Sequence, residues 1–66
     1  MGYVSPSYNL VKKVQNVLIK KGYDPGVIDG LWGPKTRSAI RLFQRDNGLT
    51  PTHYLNNETL TLLFSE

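Results

Sequence analysis

The apolar residues of this chain recur at the spacing of amphipathic helices in three separate segments. Between Ser7 and Lys21 they fall three and four residues apart, on one helical face: Leu10, Val11, Val14, Val17 and Leu18. After Gly33-Pro34, a second segment has an inner face of Thr36, Ala39, Ile40 and Phe43. Residues 57–64 form a shorter third segment with Leu60, Leu62, Leu63 and Phe64. The pattern predicts a compact, all-α bundle of three helices.

The residues that flank these segments predict where each helix begins and ends. Ser5-Pro6 or Ser7 could cap the first helix, and Asn56 the third, because their side-chain oxygens can accept hydrogen bonds from the first turn. Pro34 suits the first position of the second helix. Gly22 and Gly48 follow the first and second helices, where glycine readily adopts the left-handed backbone that stops a helix.

Residues 22–34, GYDPGVIDGLWGP, separate the first two helices. Their four glycines and two prolines exclude a regular helix. Asp24-Pro25-Gly26 and Asp29-Gly30 are typical of turns, and a short extended pair is compatible with these signals. The loop also carries four apolar residues whose exposure to water is unfavourable: Val27, Ile28, Leu31 and Trp32. We therefore expect the loop to be ordered, with these side chains folded inward over the helices.

The helix and loop arrangement occurs twice, as an internal repeat. In each copy a helical glutamine is followed by a glycine stop, an ordered loop and a new helix with threonine in its first turn. The paired positions are Gln15 with Gln44, Trp32 with Leu55, Gly33 with Asn56, and Thr36 with Thr59. We expect the two glutamine amides to bind backbone groups of the loops, because an amide offers both donors and an acceptor. The threonines are expected to stabilise the helix starts.

Sixty-six residues allow one domain, which we place at residues 7–66 after a tail at residues 1–6. Cysteine is absent and His53 is the single histidine, so we expect neither a metal nor another cofactor. No apolar run reaches the roughly 20 residues of a membrane span. The N-terminus has no signal-peptide pattern, which indicates an excised domain or a phage-encoded component. We expect a monomer that does not enter membranes.

The formal net charge is +3, which favours anionic partners or serves solubility. Arg37, Arg41 and Arg45 are spaced by four and share one stripe of the second helix. The carboxylates are few and lie mostly in turns or at ends: Asp24, Asp29, Asp46, Glu58 and Glu66. Since hydrolases need paired carboxylates, a metal cluster or an activated nucleophile, we do not expect an enzyme.

Four ordered motifs resemble the peptidoglycan-binding domain 1 family. They are V-Q-x-x-L-x-x-x-G-Y from Val14, D-G-L-W-G-P-K-T from Asp29, A-I-x-x-F-Q from Ala39, and G-L at Gly48. The resemblance implies a non-catalytic module that binds glycan strands and stem peptides of peptidoglycan. It also implies a site of action outside the cytoplasm and an attached or associated cell-wall hydrolase. The second loop departs from the family, since Thr52-His53 replaces the usual Asp-Gly.

Six residues are candidates for ligand contact, each with a structural alternative. Aromatic rings stack on sugars and alkyl groups, so we select the loop aromatics Tyr23, Trp32 and Tyr54, which could instead belong to the core. Asp29 could accept a hydrogen bond from a ligand, or close its own turn. Arg37 and Arg41 could clamp stem-peptide carboxylates, or form a solvated face.

A basic three-helix domain is also compatible with a nucleic-acid-binding or protein-interaction role. In the nucleic-acid hypothesis the arginine stripe would lie on DNA. The 13 residues between the first two helices argue against it, because helix-turn-helix domains join their helices by a short turn. We therefore regard nucleic acid as the less favoured partner.

Overall fold

The computed structural model describes residues 3–4, 7–52 and 54–65. In chain order its elements are β1 (Tyr3–Val4), α1 (Tyr8–Lys20), α2 (Pro34–Asp46), β2 (Leu55–Asn56) and α3 (Asn57–Leu63). The three helices confirm the all-α prediction. Within the described ranges, no helix has both the length and the apolar character needed to cross a membrane.

Part of the segment predicted to be a tail forms a short strand. β1 runs antiparallel to β2, with Tyr3 opposite Asn56 and Val4 opposite Leu55. The short extended pair that was compatible with residues 22–34 is instead formed by β1 and β2. The second loop supplies one of its strands, at the point where that loop enters α3. The other residues of the predicted tail (1, 2, 5 and 6) lie outside the described residues, as does His53. The division into a tail and a domain at residue 7 stays a prediction.

The predicted helix caps are confirmed. Ser7 Oγ accepts a hydrogen bond from Leu10 N at 3.2 Å, and Asn56 Oδ1 accepts one from Thr59 N at 2.8 Å. Gly22 and Gly48 adopt left-handed backbone at φ +92° and +76° after α1 and α2. The residue after each glycine donates its N–H to a carbonyl of the preceding helix at 2.8 Å, so both helices end in the same way.

The inner faces of the three helices meet in one apolar core, as the periodicity predicts. Its buried members are Val14, Leu18, Ala39, Ile40, Phe43, Leu55 and Leu63. Half-buried side chains pack around them: Leu10, Val17, Tyr23, Trp32 and Leu60. Trp32 thus contacts the core at the position where the second repeat places the fully buried Leu55, so both loops contribute to the core.

The inward folding predicted for the first loop is wrong for two of its four apolar residues. Val27 is 75% exposed and Leu31 is 63% exposed, whereas Ile28 and Trp32 are half-buried. Burial alternates along residues 27–32, with the odd positions outside and the even positions inside. The side chains of this segment therefore divide between the core and the solvent, and the backbone turns between them at Gly30, where φ is +77°.

The side chain of Gln15 forms hydrogen bonds to the first loop from its buried side. Its Oε1 accepts a hydrogen bond from Gly30 N at 3.0 Å. Its Nε2 lies 2.9 Å from Thr36 Oγ1, 3.1 Å from the Leu31 carbonyl and 3.3 Å from Asp29 Oδ1. Gln15 is fully buried, so these bonds satisfy an amide that water does not reach.

Gln44 does the same for the second loop. Its Oε1 accepts from Thr52 N at 2.8 Å, and its Nε2 donates to Thr52 Oγ1 at 3.0 Å and Thr59 Oγ1 at 2.9 Å. The expectation that the glutamines tie the loops is confirmed in both repeats. The hydroxyls of Thr36 and Thr59 are buried in the first turns of α2 and α3, where they accept hydrogen bonds from the glutamines.

Gly30 is the position where the first loop tolerates no side chain. Its φ is +77°, and a Cβ built there would lie 2.5 Å from the ring of Tyr8. The N–H of Gly30 donates a hydrogen bond to Gln15 Oε1, so the backbone cannot move away from the ring of Tyr8 without losing that bond. A left-handed backbone and a close ring together require glycine here.

Replacing Gln15 by leucine should destabilise the domain while preserving the volume of the side chain. The buried N–H of Gly30 would lose its acceptor, which costs about 1–3 kcal/mol. Asn16→Leu, on the exposed side of the same helix, should change stability by less than about 0.5 kcal/mol. Urea unfolding of both variants measures the difference, and equal stabilities would contradict the importance of the buried amide.

Phe43→Ala tests the core face of α2. Phe43 is 3% exposed and meets the ring of Tyr23 edge-on at 5.8 Å. We expect a loss of about 3–5 kcal/mol, enough to unfold much of a domain this small. Circular dichroism and thermal unfolding would show this, and a variant as stable as the wild type would contradict the core assignment.

Candidate functional site

The first loop and the start of α2 line an open cleft of about 330 Å³, which we name the first-loop cleft. It is lined by Pro25, Gly26, Val27, Asp29, Leu31, Gly33, Pro34, Lys35 and Thr36. The exposed side chains of Val27 and Leu31 give it apolar walls, and Lys35 adds a cation. The cleft therefore suits the alkyl group of a ligand, and Lys35 and Asp29 give its lining one charge of each sign.

Asp29 lines this cleft, but its carboxylate is already engaged within the loop. Its Oδ1 accepts from Leu31 N at 2.9 Å and from Gln15 Nε2 at 3.3 Å. The bond from Leu31, joined by that from Gln15, lowers the pKa of the Asp29 carboxyl. The carboxylate is thus held in its charged form and shapes the loop from which Leu31 projects.

Two depressions run along the outer face of α2, and together we name them the arginine trough. One, of about 310 Å³, is lined by Pro34, Arg37, Ser38 and Arg41. The other, of about 320 Å³, is lined by Ser38, Arg41, Leu42, Arg45 and Pro51. Because Ser38 and Arg41 line both, the depressions are continuous. Pro34 also lines the first-loop cleft, so the trough extends from it.

The charges of the arginine trough are of one sign. None of the described residues that line its two depressions is acidic. Like charges four residues apart on a helix repel one another and cost about 0.2–0.5 kcal/mol per pair. Arg37, Arg41 and Arg45 therefore oppose the stability of α2, and an anionic ligand would relieve that repulsion.

Tyr23 lies away from both surfaces. Its hydroxyl donates to Asp46 Oδ2 at 2.6 Å, and its ring packs against Phe43. The hydrogen bond to Asp46, with some burial, raises the pKa of the Tyr23 hydroxyl. These contacts join the start of the first loop to the end of α2, and Tyr23 lines neither the cleft nor the trough.

The other two predicted aromatics are also separate from the cleft and the trough. Trp32 is half-buried against the core. Tyr54 is 44% exposed and precedes β2, where its carbonyl accepts a hydrogen bond from Thr52 Oγ1 at 2.9 Å. The structure therefore brings together Asp29, Arg37 and Arg41 along one continuous surface, and places the three aromatics elsewhere.

Sequence reasoning missed several residues of this surface. Val27 and Leu31 were expected inside, and Lys35, Ser38 and Pro51 were not selected. The helical spacing could have found Ser38, which lies between Arg37 and Arg41 on the same face. Nothing local in the sequence brings Pro51 to α2, because that contact depends on how the second loop folds back.

Comparison with known proteins supports the same family that the motifs indicated. The family of peptidoglycan-binding domains matches residues 7–63. The chain is 47% identical over 49 residues to the localization factor PodJL of Caulobacter vibrioides. This match covers 74% of the chain and 5% of PodJL. An identical match occurs for PodJL of a second strain of that species.

A solved structure shares the fold. The crystal structure of SltB3 from Pseudomonas aeruginosa in complex with NAG-anhNAM-pentapeptide matches with a TM-score of 0.80 and 33% sequence identity. The match covers 88% of this chain and 16% of the SltB3 chain. In both relatives the matching region is a small part of a much longer protein. With a family match over residues 7–63 and this shared fold, the chain belongs to the peptidoglycan-binding domain family.

Proposed function

We propose that the domain binds peptidoglycan through the first-loop cleft and the arginine trough, and performs no chemistry on it. One observation carries this proposal: an apolar cleft at the first loop continues into a trough whose charged side chains are all cationic. Stem peptides of peptidoglycan present methyl groups next to carboxylates. An alkyl group would occupy the cleft between Val27 and Leu31, while carboxylates would meet Arg37 and Arg41.

Three carboxylates of the domain accept hydrogen bonds within the protein, which supports a binding role over a hydrolytic one. Asp24 Oδ1 accepts from Gly26 N at 3.0 Å, Asp29 is bound within its turn, and Asp46 accepts from Tyr23. General acid and base catalysis by a glycosidase requires two carboxyl groups facing one another across the bond to be cleaved. These three instead stabilise local turns and a loop-to-helix contact.

The proposed role of the domain is to hold an attached protein at the cell wall. Its matches cover only 5% of PodJL and 16% of SltB3, which places this kind of domain within much longer chains. A small monomeric module that supplies affinity is compatible with an attached cell-wall hydrolase or another wall-associated protein. The site of action would be outside the cytoplasmic membrane, where murein is found, or on a phage that meets murein from outside the cell.

Arg41→Ala should weaken binding to purified insoluble peptidoglycan by about three- to tenfold, which corresponds to about 0.7–1.4 kcal/mol. Arg41 lines both depressions of the trough and is exposed, so the fold should be unaffected. Lys13→Ala removes the same charge from an exposed position of α1 and serves as the control. Cosedimentation with sacculi at increasing protein concentration measures both affinities.

Equal affinities of the Arg41 and Lys13 variants would remove the arginine trough from the site. The same sacculus preparation also distinguishes the peptidoglycan-binding proposal from the nucleic-acid hypothesis, in which the arginines lie on DNA phosphates. That hypothesis requires binding to DNA that falls steeply with salt, together with no sedimentation with sacculi.

Leu31→Ser tests the apolar wall of the first-loop cleft. Leu31 is 63% exposed, so the substitution should leave the free energy of unfolding within about 0.5 kcal/mol of the wild type. Sacculus binding should fall about threefold, because the ligand loses apolar contact area. Ile19→Ser, at a 48% exposed position on α1, is the matched control and should bind normally. Loss of binding in both variants would show that general surface hydrophobicity, and not the cleft, is responsible.

A further inference from the structure

The two repeats hold their loops in the same geometry. In each, the amide oxygen of the glutamine accepts a loop N–H, at 3.0 Å from Gly30 and 2.8 Å from Thr52. In each, the amide nitrogen lies 2.9 Å from the hydroxyl of the threonine in the first turn of the next helix. The starts of α2 and α3 are therefore equivalent places in the fold, beginning at Pro34 and Asn57.

A second cleft of about 370 Å³ lies at the start of α3 and is lined by Leu49, Asn57, Glu58, Thr61 and Leu62. We name it the α3 cleft. Its lining includes Asn57 and Glu58, the first two residues of α3, just as the first-loop cleft includes Pro34 and Lys35, the first two of α2. In each repeat a loop and the first turn of the following helix thus enclose an apolar depression.

The charges at the two helix starts are opposite. Lys35 supplies a cation to the first-loop cleft, which also contains the Asp29 carboxylate, whereas the equivalent residue of the α3 cleft is Glu58, the one charged residue among the described residues that line it. Leu62, 36% exposed, and the half-buried Leu49 provide the apolar lining around this carboxylate. An acidic, apolar depression on a chain of net charge +3 selects a different chemical group from the one that the arginine trough selects.

We propose that the α3 cleft binds a primary ammonium group of an uncross-linked stem peptide, with Glu58 as its counter-ion and Leu49 and Leu62 against the adjoining alkyl chain. The inference rests on the proposed function, since it assigns a second subsite for the same polymer. The domain then recognises both signs of charge on the peptides: carboxylates at the trough and amines at the α3 cleft.

Glu58 also has a purely structural explanation. It lies in the first turn of α3, where a carboxylate is favoured by the partial positive charge of the helix end. That role predicts a change in stability when Glu58 is replaced, but no dependence on the amino groups of the ligand. Chemical modification of the ligand therefore separates the two explanations.

The test compares sacculi with free amino groups and sacculi whose amino groups have been acetylated. Acetylation should lower the affinity of the wild type about two- to fivefold, as for a partly exposed ion pair. Acetylation also makes the polymer more negative, which alone would strengthen its attraction to a chain of net charge +3. The expected weakening therefore has the sign opposite to a general electrostatic effect.

Glu58→Gln should bind untreated sacculi as weakly as the wild type binds acetylated sacculi, and acetylation should weaken it no further. Lys35→Gln, the equivalent change in the first-loop cleft, should keep the full sensitivity to acetylation. Thermal unfolding of each variant verifies that it is folded, and a double-mutant analysis isolates the Glu58–amine interaction.

Three results would overturn the assignment. One is a wild-type affinity that acetylation leaves unchanged or increases, and another is Glu58→Gln retaining the sensitivity of the wild type. In either case, normal binding of untreated sacculi would leave the proposed function intact. The third, a wild type that binds neither preparation, would overturn both proposals.

Discussion

Two buried glutamine amides are the constraint on which the rest of this small domain depends. A loop with backbone groups out of reach of water must satisfy them internally or lose several kilocalories per mole. Gln15 and Gln44 meet this requirement with a single side chain each, which accepts a loop N–H and donates to a threonine hydroxyl of the following helix. The apolar core orders the helices, but these amides fix the loops relative to them.

Fixing the loops in this way determines which side chains form the surface. Along residues 27–32 the even positions face the helices, so Val27, Asp29 and Leu31 are left outside on a backbone that cannot collapse. The same loop passes next to the first turn of α2, so its apolar residues lie beside Lys35 and close to the arginine row. The proposed binding surface is therefore a consequence of how the loop is held by Gln15.

The sequence was sufficient for those parts of the structure that depend on local chemistry. Helical spacing located the three helices, Asn56 was correctly assigned as a cap, Ser7 was one of two candidates for the first cap, and the internal repeat predicted the paired roles of Gln15 and Gln44. The orientation of Val27 and Leu31 was not predictable from their hydrophobicity. It depends on the path of the loop backbone, which Gln15 of α1 fixes by hydrogen bonds. The pairing of β1 with β2 likewise joins residues from opposite ends of the chain. Of the candidate site, the arginine spacing anticipated the trough, whereas the clefts needed the three-dimensional path of both loops.

The shallowness of the depressions on this domain has a consequence for motion along the wall. In the proposed binding mode, a ligand in the open trough would be only partly enclosed, so each individual contact would be brief. A polymer that repeats the same chemical group presents the next copy at high effective concentration, so release is followed by recapture nearby. A protein carried by such a domain would stay on the sacculus for a long time while still travelling over it.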